Sequence, residues 1–146
     1  MIDKDKIKSA VSSIIEALGD DPNREGLQDT PRRVAEMYTE FFSGLDEDPA
    51  DVLATGFEEG HQELVVLRDI PFFSICEHHF LPFYGSVHIG YIPKGRVVGA
   101  SKLARALEIL ARRPQIQERL TDQLVEALNK TLEPDGVAVV ISAEHM

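Results

Sequence analysis

The sequence predicts an α+β domain, an antiparallel sheet with helices packed on one face. Three observations carry this. Apolar residues recur at helical spacing over residues 5–18 and again in stretches beginning at Thr30, Gly99 and Ile116. From Glu63 the period shortens to that of strands. The order is therefore two helices, two strands, two helices and a last strand over 137–141.

Ile7, Ala10, Val11, Ile14, Ile15 and Leu18 form the buried stripe of the first helix, stopped by Gly19. Asp20-Asp21-Pro22-Asn23 reads as a turn. Thr30 is the expected N-cap of the second helix, with Pro31 at its first position. Val34, Met37, Tyr38 and Phe41 face inward there, and Gly44 is its expected stop. Residues 46–54 read as an acidic connector with room for one helical turn. This gives an N-terminal helical region over 1–55 and a second region over 56–146, one domain overall.

Residues 64–67 are a strand candidate leading into Ser74-Ile75-Cys76-Glu77-His78-His79-Phe80-Leu81-Pro82. Val87, Ile89 and Tyr91 then alternate with His88, Gly90 and Ile92 as a half-buried strand. The third helix buries Leu103, Ala104, Leu107, Leu110 and Ala111 and is interrupted by Pro114. The fourth buries Ile116, Leu120, Leu124, Ala127 and Leu128. Pro134-Asp135-Gly136 turns the chain into the last strand, whose end leaves sheet edges for another subunit or further chain to cover.

Composition limits the function. Hydrophobic residues at 43% and charged residues at 27% are those of a globular protein. The absence of a long apolar run argues against membrane insertion. A single cysteine and a charged first segment point to a reduced, cytoplasmic setting. The net charge of −10 disfavours nucleic acid as a partner. Residues 94–119 nevertheless carry seven Lys and Arg against two Glu, a local +5 that suits a small anion.

The chemistry concentrates in Cys76-Glu77-His78-His79, which holds the one cysteine and two of the five histidines between apolar flanks. Thiolate and imidazole are zinc ligands, and a catalytic zinc needs three protein donors and an open position. Cys76 and His79 supply two if the strand turns between them, with His78 facing elsewhere and available for proton transfer. The third donor has to come from another segment. His145 is a candidate, and His61 and His88 are weaker ones. Lys102 and Arg105, beside a helix start, suit phosphate groups. A carboxylate at Glu118 suits the N1–H and 2-amino edge of guanine.

Five linked motifs resemble GTP cyclohydrolase I over essentially the whole chain: the Cys76 stretch, Val87-His88-Ile89-Gly90-Tyr91-Ile92-Pro93, Ser101-Lys102-Leu103-Ala104-Arg105, Arg113-Pro114-Gln115-Ile116-Gln117-Glu118-Arg119-Leu120 and Ala143-Glu144-His145-Met146. Gly26-Leu27-Gln28-Asp29-Thr30-Pro31 is similar to that family's entry to its second helix. The resemblance implies the tunnelling fold (T-fold), with sheets joined between subunits into a barrel, commonly in homodecamers with active sites between subunits. It implies zinc-dependent hydrolysis of GTP to formate and 7,8-dihydroneopterin triphosphate, the entry to tetrahydrofolate and pterin synthesis. By position it makes Cys76 and His79 zinc ligands and His78 and His145 proton-transfer residues. Gln117 and Glu118 then hold guanine, while Lys102 and Arg105 hold the triphosphate, with His145 also bordering the substrate. The family's third zinc ligand is a cysteine two positions after the histidine matching His145. The expectation is therefore a longer enzyme of which these residues are the trimmed part. The alternatives are a catalytically impaired GTP-binding relative or structural subunit, and another T-fold enzyme acting on a pterin or deazapurine, which the His-His pair disfavours.

Overall fold

A computed structural model describes all residues, 1–146, and divides them into two compact units, Met1–Phe42 and Ser43–Met146. In the first, α1 (Lys4–Ala17) packs against α2 (Thr30–Phe41). The Asp3 carboxylate caps α1 by accepting from Lys6 N at 3.0 Å, and Gly19 leaves the helix at φ +85°. Two sequence expectations change here. Asp29, not Thr30, is the N-cap of α2, and Thr30 is already helical. Ile14 and Leu18, assigned to the buried stripe, are 58% and 80% exposed. Within this unit each helix has a single partner helix, so it buries a narrower stripe than a helix in a layered core.

The second unit opens with a 3₁₀ turn, Ser43–Asp46. Gly44 lies in that turn instead of ending α2. A Cβ on it would fall 1.9 Å from the Ile109 carbonyl oxygen, so its role is close backbone approach. The acidic connector contains α3 (Pro49–Leu53), capped by Asp48, which accepts from Ala50 N at 2.9 Å. Then come β1 (Phe57–Glu58), β2 (Val65–Cys76), β3 (Pro82–Ile92), β4 (Arg96–Val97), α4 (Ala100–Ala111), β5 (Pro114–Gln115), α5 (Gln117–Leu132) and β6 (Gly136–His145). The long strands exceed their sequence-based bounds because hairpin pairing carries order through Pro71, Phe72 and Phe73, where alternation is poor.

The main sheet runs β5-β2-β3-β6. Its three long strands are antiparallel, but β5 pairs parallel to β2, so the sheet is mixed and not purely antiparallel. A separate small sheet pairs β1 with β4. Phe83, Val87, Ile89 and Tyr91 of β3 are buried with Leu103, Leu107 and Leu110 of α4 and Leu120, Leu124 and Leu128 of α5. Each such side chain contributes about 1.5–3 kcal/mol of burial. Tyr91 also accepts from Val98 N through its hydroxyl at 3.1 Å. A bulge between Leu67 and Ile70 puts Asp69 at φ +58°, where its N–H donates to His88 Nδ1 at 3.1 Å. β6 is the sheet's outer edge, with Val140 59% exposed. No helix is long and apolar enough to cross a membrane.

Candidate active site

Cys76 is the last residue of β2 and Pro82 the first of β3, so residues 77–81 are the hairpin turn. Two backbone bonds close it. Cys76 N donates to Leu81 O at 2.8 Å, and Phe80 N donates to Cys76 O at 2.9 Å. Phe80 takes φ +57°, a left-handed conformation that a non-glycine residue holds only under constraint. Cys76 is half-buried at the turn's base, and His78 and His79 are exposed on it.

The expected reversal between Cys76 and His79 is therefore present. The expected isolation of His78 is not, because its Nδ1 lies 3.8 Å from Cys76 Sγ. The compact turn brings the second residue after the cysteine back over the thiol. A thiol and imidazoles on one turn fit zinc in kind. No three His, Cys, Asp or Glu side chains form a group that could hold a metal ion. His61 is exposed on the loop before β2, and the Nδ1 of His88 is taken by Asp69.

The start of α5 is fastened to this turn. Cys76 pairs with Gln115 across the parallel β2–β5 ladder, and Glu77 N donates to Gln115 O at 2.9 Å. Gln115, 1% exposed, is held from its own side by donating to Leu110 O at 3.0 Å and Gln123 Oε1 at 2.8 Å. Arg119 Nη1 and Nη2 both reach the Glu77 carboxylate, the second at 2.9 Å. That guanidinium holds the Glu77 carboxyl below the usual carboxylate range, and Glu77 raises Arg119 in turn. Glu118, one residue earlier, is exposed and makes no ion pair. Its carboxylate is open to a ligand.

β6 delivers His145 to the same end of the sheet, in register with Phe83 of β3. The His145 imidazole stacks on the fully buried Phe83 ring, centroids 4.8 Å apart and planes 2° from parallel. Its Nε2 lies 2.9 Å from Gln117 Oε1, while Gln117 Nε2 donates to Ile141 O at 3.1 Å. Cys76, His78, His79, Gln117, Glu118 and His145 thus belong to one end of the sheet.

Lys102 and Arg105 do not join them. Ser74 Oγ donates to Ala111 O at 2.6 Å, fixing the C-terminal end of α4 beside the last turn of β2. Lys102 stands about 13 Å back along the axis from Ala111. Arg105 is paired to Glu108 at 2.7 Å and to Glu47 at 2.8 Å, whereas Lys102 has no ion pair. A mostly apolar cavity of about 470 Å³ between α4 and β2 is lined by Ile70, Phe72, Ala104, Arg105 and Arg112 among others, and by none of the Cys76-turn residues.

Sequence reasoning assigned no role to Glu77, Phe83 or Arg119. Glu77 lay inside the strongest motif and counted towards a metal or acid/base cluster, but nothing in the sequence named its partner. Arg119 sits one position before inward-facing Leu120, which gave no sign of which way it points.

The family model described as GTP cyclohydrolase I matches residues 7–146. Among curated proteins, the chain is 62% identical over 148 residues to GTP cyclohydrolase 1 of Dehalococcoides mccartyi, covering 100% of the chain and 78% of that relative. It is 61% identical to the same enzyme of Halalkalibacterium halodurans, covering 99% of the chain and 78% of the relative. It is 58% identical to that of Bacillus subtilis, covering 99% and 77%.

Proposed function

The chain belongs to the GTP cyclohydrolase I family, and from that premise we propose that it opens the imidazole ring of GTP hydrolytically, releasing formate and leaving 7,8-dihydroneopterin triphosphate. The observation that carries this reading is the fastening of the Cys76 turn to the start of α5, which brings Cys76, His78 and His79 to the same end of the sheet as the unpaired Glu118 carboxylate. Glu118 accepts two parallel N–H bonds from the guanine edge, and adenine would leave it unpaired. Gln117 keeps one amide N–H for the base after its bond to Ile141.

His78 and His145 move protons at the ring nitrogen released as the C8 bond breaks and during ribose rearrangement. Cys76 and His79 would hold zinc, which when bound supplies a water of pKa lowered towards about 7. Exposed Phe80 and Leu81 give the turn an apolar rim that limits bulk water. C8 leaves as formate, and two ribose carbons close the new pterin ring.

The phosphate-binding pair supports an assembly of several copies. Lys102 and Arg105 stand back along α4 from the helix end that Ser74 holds beside β2. A neighbouring copy joined at the open β6 edge would bring them to the triphosphate, as in a barrel of joined sheets such as a homodecamer. The test is incubation of the zinc-supplemented protein with GTP or ATP. A pterin that fluoresces after oxidation, formed from GTP only and with equimolar formate, is the expected result. GTP binding without product would leave a nucleotide-binding subunit and overturn the reading.

A further inference from the structure

We infer that Glu77 and Arg119 are a positioning pair, a strut that sets the metal-and-proton turn against the guanine-reading start of α5. The inference rests on the proposed reaction and adds to it two residues that touch neither base nor metal.

The turn needs such an anchor. Its backbone bonds tie it to itself and to Gln115, and His78 and His79 are exposed on it. Glu77 ties it to α5 through its side chain. It is half-buried, and both its oxygens are gripped by the two terminal nitrogens of Arg119. A planar guanidinium meeting a carboxylate in this forked way fixes orientation as well as distance. Oε1, the oxygen that accepts from Arg119 Nη2, also lies 4.0 Å from His78 Nε2.

The helix end of the strut matters equally. Successive helix residues point about 100° apart. With Arg119 directed at Glu77, Glu118 beside it is turned away, exposed and unpaired. One residue braces and the next reads the base, so any shift of Arg119 moves Glu118 relative to Cys76 and His79. The pairing also neutralises Glu77, so that the carboxylate left free at this end of α5 is the one that suits guanine. A lysine at position 119 would keep the charge and lose the fork.

The experiment compares wild type, Glu77→Gln, Arg119→Lys and the double variant by three readouts: zinc release to a chelator, kcat and KM for GTP, and the preference for GTP over inosine triphosphate, which lacks the 2-amino group. Each single variant is expected to release zinc about tenfold faster, as disturbed outer-shell support does, with kcat reduced about tenfold and the GTP preference narrowed. The double variant is expected to resemble a single one, because both break the same contact. The inference is overturned by wild-type zinc release and kcat in both single variants, or by losses that multiply in the double variant. Lowered thermal stability with unchanged kinetic ratios would reduce the pair to a structural contact and equally overturn it. Glu77→Gln preserves shape and so remains informative if Arg119→Lys folds poorly. Zinc release is read without turnover, so failure of the proposed reaction, seen as an inactive wild type, is distinguishable from failure of the strut.

Discussion

The nitrogen of His145 that carries a proton is set by Gln117. Gln117 Nε2 faces the Ile141 carbonyl, which only accepts, so Oε1 must be the atom turned to His145 Nε2, 2.9 Å away. Neutral His145 therefore holds its proton on Nε2 and leaves Nδ1 as the basic nitrogen. Stacking on Phe83 fixes the ring plane. Gln117→Ala should lower kcat for GTP by about tenfold, a fraction of the 100-fold or more expected for loss of an acid–base group. KM should rise by a smaller factor in steady-state kinetics. A change confined to KM would show that Gln117 serves binding alone.

Arg105 is held by two carboxylates, Glu108 at 2.7 Å and Glu47 at 2.8 Å. A triphosphate has to compete for it. Glu47→Gln removes one competitor and should lower KM for GTP by about 1.4- to fivefold with kcat unchanged, the range of an exposed ion pair worth about 0.2–1 kcal/mol. An unchanged or raised KM in the same assay would count against Arg105 as a phosphate ligand.

Gly85 of β3 faces Ala143 of β6, and a Cβ on it would fall 1.9 Å from the Ser142 carbonyl oxygen. Gly85→Ala should therefore cost about 1–3 kcal/mol in denaturant unfolding. It should also push β6, and with it His145, out of register with Phe83. Activity should fall further than the unfolded fraction accounts for.

Asp20 is held down to about 2 by its bond from the Arg24 side chain, aided by the Asp21 backbone N–H. A carboxylate depressed in the folded state contributes stability that is present above its unfolded pKa and lost as pH falls through the folded value. The melting difference between wild type and Asp20→Asn should thus be constant above about pH 5, shrink as pH falls, and vanish only below the folded value, near about pH 1. A difference undiminished at that pH would mean the pair is not what stabilises this turn.

Much of this was legible in the sequence, for identifiable reasons. Leu103, Leu107 and Leu110 announced α4 by their spacing, and Val87, Ile89 and Tyr91 announced β3, because burial on one face imposes a period. Two-residue strands such as β1, β4 and β5 have no period, and only their distant partners define them. Gly44 looked like a helix stop because nothing local discloses that Ile109 O will approach it. Chemistry followed the same rule. Cys76, His78 and His79 were visible as a cluster in sequence, whereas Glu77 met Arg119, and Gln117 met His145, only through the fold. The geometry also separated Lys102 from Cys76, which linear motifs do not reveal.

The most direct test of the central claim uses GTP labelled at C8, the purified protein with zinc, and the variant Cys76→Ser. The account predicts that wild type transfers the label to formate in step with pterin formation and that Cys76→Ser releases almost none while still folding. Label retained in the nucleotide with wild type, or equal release by Cys76→Ser, would contradict it.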